Sequence, residues 1–226
     1  MYKSKLQDAS AQQSLVQTIL KKYKQFPSHI CQLGITDTLL LSQLSPHHQT
    51  YAICPDKSVS QEFKNNVPDL KIYSQSLSSF RVPTQMWMFM MRNQQIHSIR
   101  NREKFFQKIS DHMEPYGLFV FDMYTNKYFD SLVWPSEDID IATDHVNISS
   151  RKKKKDIYQQ IYTRFDVDES GMYTRKNETQ TYISQPTTAI KKMMKPMFDS
   201  ITFLDYRWRA VGKYGEHVVV VCQKGW

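Results

Sequence analysis

Two residues of this sequence have the types and the spacing that could hold a nucleotide. Gly34 ends a short apolar run that begins near Ser28, and a helical pattern of leucines follows from Leu39. A strand that turns at a glycine into a helix is how α/β proteins place backbone N–H groups against such a ligand. Asp56 ends the next strand-like run, about twenty residues further on, which is the spacing of a carboxylate that binds ribose hydroxyls.

The sequence leaves two interpretations of Asp56 open. Its carboxylate could accept hydrogen bonds from two vicinal hydroxyls, because an aspartate is short enough to do so from the end of a strand. Asp56 or Ser58 could equally cap the polar helix that follows. The register with Gly34 favours the binding role.

Histidines supply the other candidate groups. His47 and His48 are adjacent, but no third ligand stands at a usable spacing, so we interpret them as a polar loop and expect no metal site. His97 could deprotonate an acceptor, since a free imidazole changes its charge near neutral pH. As one of seven histidines, and placed in a predicted loop, it could also simply be an exposed side chain.

Composition narrows the class of protein. The 226 residues, 40% of them hydrophobic, suffice for one domain with a full core. The net charge of +8 allows a nucleic acid partner, although the dense basic run, residues 151–155, also suits a solvated hairpin tip. Three cysteines inside apolar runs predict a reducing compartment, and neither an export segment nor a membrane span is visible, so we expect a cytoplasmic protein with no membrane partner.

Hydrophobic periodicity predicts the elements that must position these residues. Apolar runs predict strands over residues 29–33, 51–54, 70–74, 85–91 and 118–122, and helical spacing predicts helices over 10–26, 39–44, 61–65, 102–113 and 187–195. Residues 144–184 alternate, and 200–206 and 217–222 form two further strand-like runs. Such an order predicts a doubly wound parallel sheet that binds its ligand at the carboxyl ends of its strands.

Three segments resemble motifs of the class I S-adenosylmethionine-dependent methyltransferases. Residues 113–122, Met-Glu-Pro-Tyr-Gly-Leu-Phe-Val-Phe-Asp, resemble the segment Leu-x-Pro-Gly-Gly-x-x-x-Phe-Asp. Residues 53–58 resemble the motif that ends in Gly-x-Asp-x-Ser, and residues 29–38 resemble Asp-x-Gly-x-Gly-x-Gly. The sequence departs from the family at Gln32, which replaces the first acid, at Thr36 and Thr38, which replace glycines, and at Tyr116, which replaces a paired glycine.

The resemblance implies a single domain over residues 1–226. Its fold would be a mostly parallel, seven-stranded Rossmann-like sheet that ends in an antiparallel hairpin, with an antiparallel lid inserted over residues 130–186. Tyr158, Tyr162, Tyr173 and Tyr182 are candidates to line the lid, although aromatic residues on strands usually pack.

The resemblance also implies an S-adenosylmethionine cofactor and assigns the site residues by position. Met91 to Gln94 would face the sulfonium and the acceptor, and His97 is the candidate base already named for its titration range. The residues that the resemblance assigns to cofactor binding are Gln32, Gly34, Ile35, Asp56, Lys57, Gln75, Ser76, Leu77 and Met91, and those assigned to the substrate are Asn93 and Tyr124.

Three functions are compatible with these observations. The resemblance favours methyl transfer to a small-molecule acceptor by in-line displacement. The altered glycine motif would instead suit a binding or scaffold protein that kept the fold without catalysis. The positive charge and the basic run, residues 151–155, would suit a nucleic acid methyltransferase or binder. The sequence does not indicate an oligomeric state.

Overall fold

A computed structural model of the chain describes residues 18–19, 21–22, 28–34, 48–66, 69–92, 95–133, 135–142, 145–168, 170–205 and 215–226. The four described residues between 18 and 22 are helical, within the first predicted helix. The remainder of that helix, the predicted helix 39–44, and the positions of Ile35, Thr36, Thr38 and Asn93 lie outside the described residues.

Strands and helices alternate through the first half of the chain, and strands dominate the second half. In chain order the elements are β1 His29–Leu33, β2 Gln49–Ile53, α1 Lys57–Asn66, β3 Lys71–Tyr73, β4 Met86–Met91, a 3-10 turn Gln95–Ser98, α2 Arg102–Asp111, β5 Met113–Tyr124, α3 Asn126–Ser131, β6 Ser136–Ile141, β7 His145–Lys154, β8 Ile157–Val167, β9 Tyr173–Ile183, α4 Thr187–Met194, β10 Ser200–Leu204 and β11 His217–Gln223.

Seven strands form sheet A, in the order β10-β11-β5-β4-β1-β2-β3. The five strands from β5 to β3 pair in parallel, whereas β11 pairs antiparallel with both β5 and β10. All six residues of β4 are buried, because a central parallel strand is covered on both faces. Sheet A confirms the predicted mostly parallel, doubly wound sheet with an antiparallel end.

Helices cover one face of sheet A with a large apolar core. Phe105, Phe106 and Ile109 of α2 pack there with Ile190 and Met194 of α4 against alternate residues of the central strands. A smaller cluster on the other face includes Ile19 from the first helical segment. Among the described residues, no helix is long and apolar enough to cross a membrane.

The segment between α3 and α4 forms sheet B, a four-stranded antiparallel sheet in the order β6-β7-β8-β9. It confirms the predicted antiparallel insertion, and its strands span residues 136–183. The basic run lies at the β7–β8 hairpin, where Lys155 adopts a φ of 55° and residues 152–155 are exposed. This is the solvated hairpin tip that the sequence allowed.

Strand β5 begins five residues earlier than the predicted strand 118–122. Gly117 allows this, because a Cβ there would lie 2.9 Å from the Trp87 carbonyl oxygen, so the β4 backbone approaches closely. Tyr116, which replaces the paired glycine of the resembled motif, adopts a φ of 60°. Tyr116 therefore adopts the left-handed conformation that a glycine enters more readily than other residues do.

Candidate functional site

Gly34 is the point where the first strand turns at the carboxyl edge of sheet A. It adopts a φ of 72°, which a glycine enters without strain, and its N–H still donates to the Ile53 carbonyl oxygen at 2.8 Å. A Cβ at Gly34 would overlap the side-chain amide of Gln95, lying 2.5 Å from Nε2 and closer still to Oε1. The glycine is needed here both for its backbone conformation and for the space it leaves.

Two glutamine amides meet at this turn. Gln32 is fully buried and donates from Nε2 to the Gly34 carbonyl oxygen at 3.4 Å. Gln95 comes from the 3-10 turn that follows β4. The Oε1 atoms of both side chains are buried and have no hydrogen-bond partner among the described residues. Buried acceptors without donors are uncommon in folded proteins, so this turn is prepared to receive a donor.

The next strand places Asp56 at the same edge. Asp56 lies between β2 and α1, where its carbonyl oxygen accepts the Ser60 N–H at 3.0 Å and the Ser60 hydroxyl at 2.7 Å. Its side chain is exposed, as is that of Lys57, the first residue of α1. The position therefore suits both interpretations of Asp56 that the sequence left open.

A cleft of about 540 Å³ opens beside Asp56. Its walls include Pro55 and, beyond β3, Ser76 and Leu77, while Phe105 closes it from α2. The structure thus brings Ser76 and Leu77, two of the predicted cofactor residues, to the same cleft as Pro55, the residue before Asp56. The lining also includes Arg100, Asn101 and Lys104, so the wall combines apolar, hydroxyl, amide and basic groups.

Gln75 and Met91 were also predicted to bind the cofactor, but their side chains are engaged elsewhere. The Oε1 atom of Gln75 accepts the Arg81 N–H at 2.6 Å, so its carbonyl is used inside its own loop. The Met91 side chain is fully buried in the core covered by α2, and its backbone pairs with Leu33 and Phe121. Met91 can therefore meet a ligand only through its backbone.

His97 is not the exposed loop residue that the sequence allowed. It is fully buried, and Nδ1 lies 3.0 Å from the Ile183 carbonyl oxygen while Nε2 accepts the Tyr124 N–H at 2.9 Å. Burial lowers the pKa of His97 to about 4, so the ring is neutral with its proton on Nδ1. With both nitrogens engaged by main-chain groups, the structure contradicts the predicted role of His97 as a catalytic base.

Arg102 reinforces the same junction between the two sheets. Its buried guanidinium donates to the carbonyl oxygens of Ile96, His97 and Ile183 and, from Nη1, to Oε1 of Gln185 at 2.7 Å. Burial lowers the pKa of Arg102 to about 10, which leaves it cationic at neutral pH. The end of β9 is thereby fixed to the turn that follows β4.

Tyr124, a predicted substrate residue, ends β5 within an aromatic cluster. Its ring stacks on Tyr128 with centroids 3.8 Å apart, and burial raises its pKa. Phe129 joins this cluster to Tyr158 and Tyr182 of sheet B. Two of the four tyrosines predicted to line the lid therefore pack at its root, whereas Tyr173 is exposed and Tyr162 is half-buried.

The structure also joins two residues that sequence reasoning did not assign to the site. Nε2 of His217, at the start of β11, lies 3.0 Å from Oδ2 of Asp122 near the end of β5. The His217 ring centroid is 5.2 Å from that of Tyr124. The acid that ends the fifth predicted strand was the only signal in the sequence, because nothing local points from it to a histidine 95 residues away.

The comparisons with known proteins give matches among solved structures. No protein-family profile matches the sequence, and no curated protein matches it. Among solved structures, an S-adenosylmethionine-dependent methyltransferase from Clostridium acetobutylicum aligns with a TM-score of 0.83 at 16% identity, covering 97% of this chain and 93% of that one. This chain has the class I methyltransferase fold.

Two further solved structures share this methyltransferase fold. The sugar N-methyltransferase KedS8 from Streptoalloteichus aligns with a TM-score of 0.77 at 10% identity, over 100% of this chain and 91% of that one. CalS10 from Micromonospora echinaspora, an amino pentose methyltransferase solved with S-adenosylmethionine bound, gives 0.70 at 7% identity, over 94% and 90%. At these identities the comparisons establish the fold, and the predicted resemblance to class I methyltransferases is confirmed at that level.

Proposed function

We propose that this protein transfers a methyl group from S-adenosylmethionine to a small-molecule acceptor. The observation that carries the proposal is the turn at Gly34, at the carboxyl edge of a methyltransferase-fold sheet. There a left-handed glycine lies beside two buried amide oxygens that have no donor within the described part of the chain. The sugar N-methyltransferase and the amino pentose methyltransferase that share the fold support a small acceptor.

The residues at the turn fit the amino acid part of the cofactor. An α-ammonium group is a pure donor, and the Oε1 atoms of Gln32 and Gln95 are buried acceptors without one among the described residues. Because Gly34 has no side chain, a ligand that moves the Gln95 amide aside can reach the backbone there.

The next two strands fit the adenosyl part. The Asp56 carboxylate would accept the ribose hydroxyls, and the adjoining cleft, with Ser76 and Leu77 in its wall, would take the adenine. Lys57 follows Asp56 at the same edge. These residues are the ones predicted from the sequence, and the cleft supports their assignment to the adenosyl group.

For methyl transfer, the protein itself has to align the acceptor with the cofactor and to exclude water. When bound, the cofactor supplies an electrophilic methyl group on a good leaving group, so positioning accounts for most of the required catalysis. The root of sheet B, fixed by Arg102 and by the aromatic cluster around Phe129, closes one side of the acceptor end. Tyr124 would form part of the acceptor wall.

A thermal-shift titration with S-adenosylmethionine and S-adenosylhomocysteine tests the cofactor site. A ligand at about 100 times its Kd stabilises the folded chain by roughly 2.7 kcal/mol. Asp56→Ala should abolish most of the shift, whereas Asp69→Ala, at an exposed aspartate before β3, should keep it. The absence of a shift at millimolar ligand would contradict the proposal, and an unchanged shift in Asp56→Ala would contradict the ribose assignment.

The two alternatives make different predictions. A scaffold that lost its cofactor would show no shift with either ligand. A nucleic acid binder would bind RNA with an affinity that falls steeply with salt. In the structure Arg151 lies 3.7 Å from Asp138, and Lys153 lies 3.4 Å from Asp130, so two residues of the basic run already have acidic partners.

A further inference from the structure

We propose that one face of sheet B is the interface through which two copies of this chain form a dimer. The strand register defines this face, because directly paired residues of an antiparallel sheet project to the same side. Its apolar residues are Ile139, Ile141, Val146, Ile148, Ile161 and Phe165. We call it the apolar face of sheet B. The inference does not rest on the proposed function, since it needs neither cofactor nor acceptor.

The ion pairs of sheet B lie on the opposite face. Arg151 lies 3.7 Å from Asp138 there, and Lys176 donates to Asp166 at 2.8 Å. Tyr158, also on that face, is buried because it packs on α3. The polar face is therefore the one directed at the rest of the chain. An antiparallel sheet with one covered face ordinarily turns its apolar residues towards the cover, so the reversed arrangement here indicates a second cover.

The apolar face is open to water in the single chain. Ile139 is 63% exposed and Ile141 is 75% exposed, and the other four apolar residues are half-buried. Within the described part of the chain, none of the six belongs to either hydrophobic core cluster or packs against it. Monomeric proteins rarely expose a contiguous apolar patch of more than a few hundred Å², and larger patches mark interaction surfaces.

The dimensions of the apolar face match those of a second sheet. Its strands have 6, 10, 11 and 11 residues, and at about 3.4 Å per residue and about 4.8 Å between strands they cover roughly 600 Å². Two such faces bury about 1,200 Å² together, which is the lower limit of a standard specific interface. A single helix, about 10 Å across, would cover only about half the width of four strands. A second copy presents a surface of the required width and composition.

The charges of the apolar face also suit a second copy. Glu137 lies on β6 at one edge of the sheet, and Arg175 lies on β9 at the other edge. When a two-fold axis runs along the strands, the β6 edge of each copy lies over the β9 edge of its partner, so the acidic edge faces the basic edge twice. Such an interface is closed, because each copy uses the same face, and the assembly stops at two chains.

Sedimentation equilibrium over a concentration series tests the dimer. We expect a species with twice the mass of the chain, and a thermal unfolding midpoint that rises with protein concentration. Specific interfaces of this class bind at micromolar concentrations or tighter, so a single-chain mass at about 100 µM would overturn the inference. If another segment of the chain or a different protein covered the face, the purified chain would give that monomeric result.

A pair of lysine substitutions tests the face. Ile139→Lys places a charge in the apolar face, whereas Thr174→Lys adds the same charge at an exposed position of the opposite face. Ile139→Lys should raise the dimer Kd at least about 100-fold, because a two-fold interface contains each substitution twice. Its circular dichroism spectrum should match that of the wild type, since Ile139 is exposed in the single chain. An unchanged Kd in Ile139→Lys, or an equal loss in Thr174→Lys, would contradict the assignment.

Cysteine cross-linking tests the face without introducing a charge. Thr163 and Arg164 are neighbours on β8 and project to opposite faces, with Thr163 near the centre of the apolar face. The native cysteines, Cys31, Cys54 and Cys222, are buried and leave the introduced thiol as the reactive one. Sheets packed face to face lie about 10 Å apart, so a bismaleimide of that span should join two copies of Thr163→Cys and leave Arg164→Cys largely monomeric. Equal cross-linking of both variants, or the reverse preference, would rule out this face as the interface.

Discussion

Replacing Gly34 by alanine tests whether the turn at the end of β1 is built as described. An alanine at a φ of 72° costs about 1–2 kcal/mol, because its Cβ crowds the backbone in the left-handed region. The new Cβ would also overlap the Gln95 amide, and overpacking typically costs about 1–3 kcal/mol. Since the amide is the end of a flexible side chain, we expect the lower part of that range and a total loss of about 2–3 kcal/mol.

A double-mutant cycle separates these two contributions. In a Gln95→Ala background the overlap disappears, so Gly34→Ala should cost only the backbone share, about 1–2 kcal/mol. The assay is urea unfolding followed by circular dichroism for the wild type, both single variants and the double variant. An equal cost of Gly34→Ala in both backgrounds would refute the view that Gln95 is held against the glycine. A cost near zero in either background would refute the strained turn.

Two further predictions concern the junction between the sheets. Arg102→Met should destabilise the protein by about 2–4 kcal/mol, since it removes the buried guanidinium that donates to the carbonyl oxygens of Ile96, His97 and Ile183. Hydrogen exchange should accelerate in β9 and in the 3-10 turn, and unchanged exchange would contradict the junction. The pKa of His97 is lowered to about 4 from an unfolded value near 6.5, so its contribution of about 3 kcal/mol is fully present above pH 6.5 and is lost as pH falls towards 4. Urea titrations should show this slope in the wild type and a flatter one in His97→Gln, and equal slopes would contradict it.

Local pattern predicted most of sheet A. The continuous apolar run of β4 was expected over residues 85–91 and forms Met86–Met91, because a strand buried on both faces cannot be mistaken for an amphipathic helix of that length. The pattern missed the start of β5, where Pro115, Tyr116 and Gly117 are typical of a turn. Pairing with β4 across Gly117 overrides that local preference.

Sequence reasoning predicted a feature of the candidate site only where the type of one residue determines it. The turn at Gly34 was visible because few other residues adopt its backbone conformation. The environment of His97 was not visible, since its burial depends on Ile183 and Tyr124, which are distant in sequence. The Asp122–His217 pair was missed for the same reason. Hydrophobic periodicity indicates which face of a helix or strand a side chain lies on, but not which residue it contacts there.

At the turn of Gly34 a neutral residue, Gln32, stands where the resembled methyltransferase motif has its first acid. Gln32 occupies that position fully buried, where a carboxylate without a partner would carry a large desolvation cost. A neutral amide avoids that cost and still presents an acceptor, and Gln95 adds a second one from the neighbouring strand exit. Two neutral acceptors attract a cation less strongly than one charge does, so under the proposed function more of the cofactor affinity would come from Asp56 and the adjoining cleft. This is why Asp56, rather than the glycine turn, is the decisive position for the ligand-binding experiment.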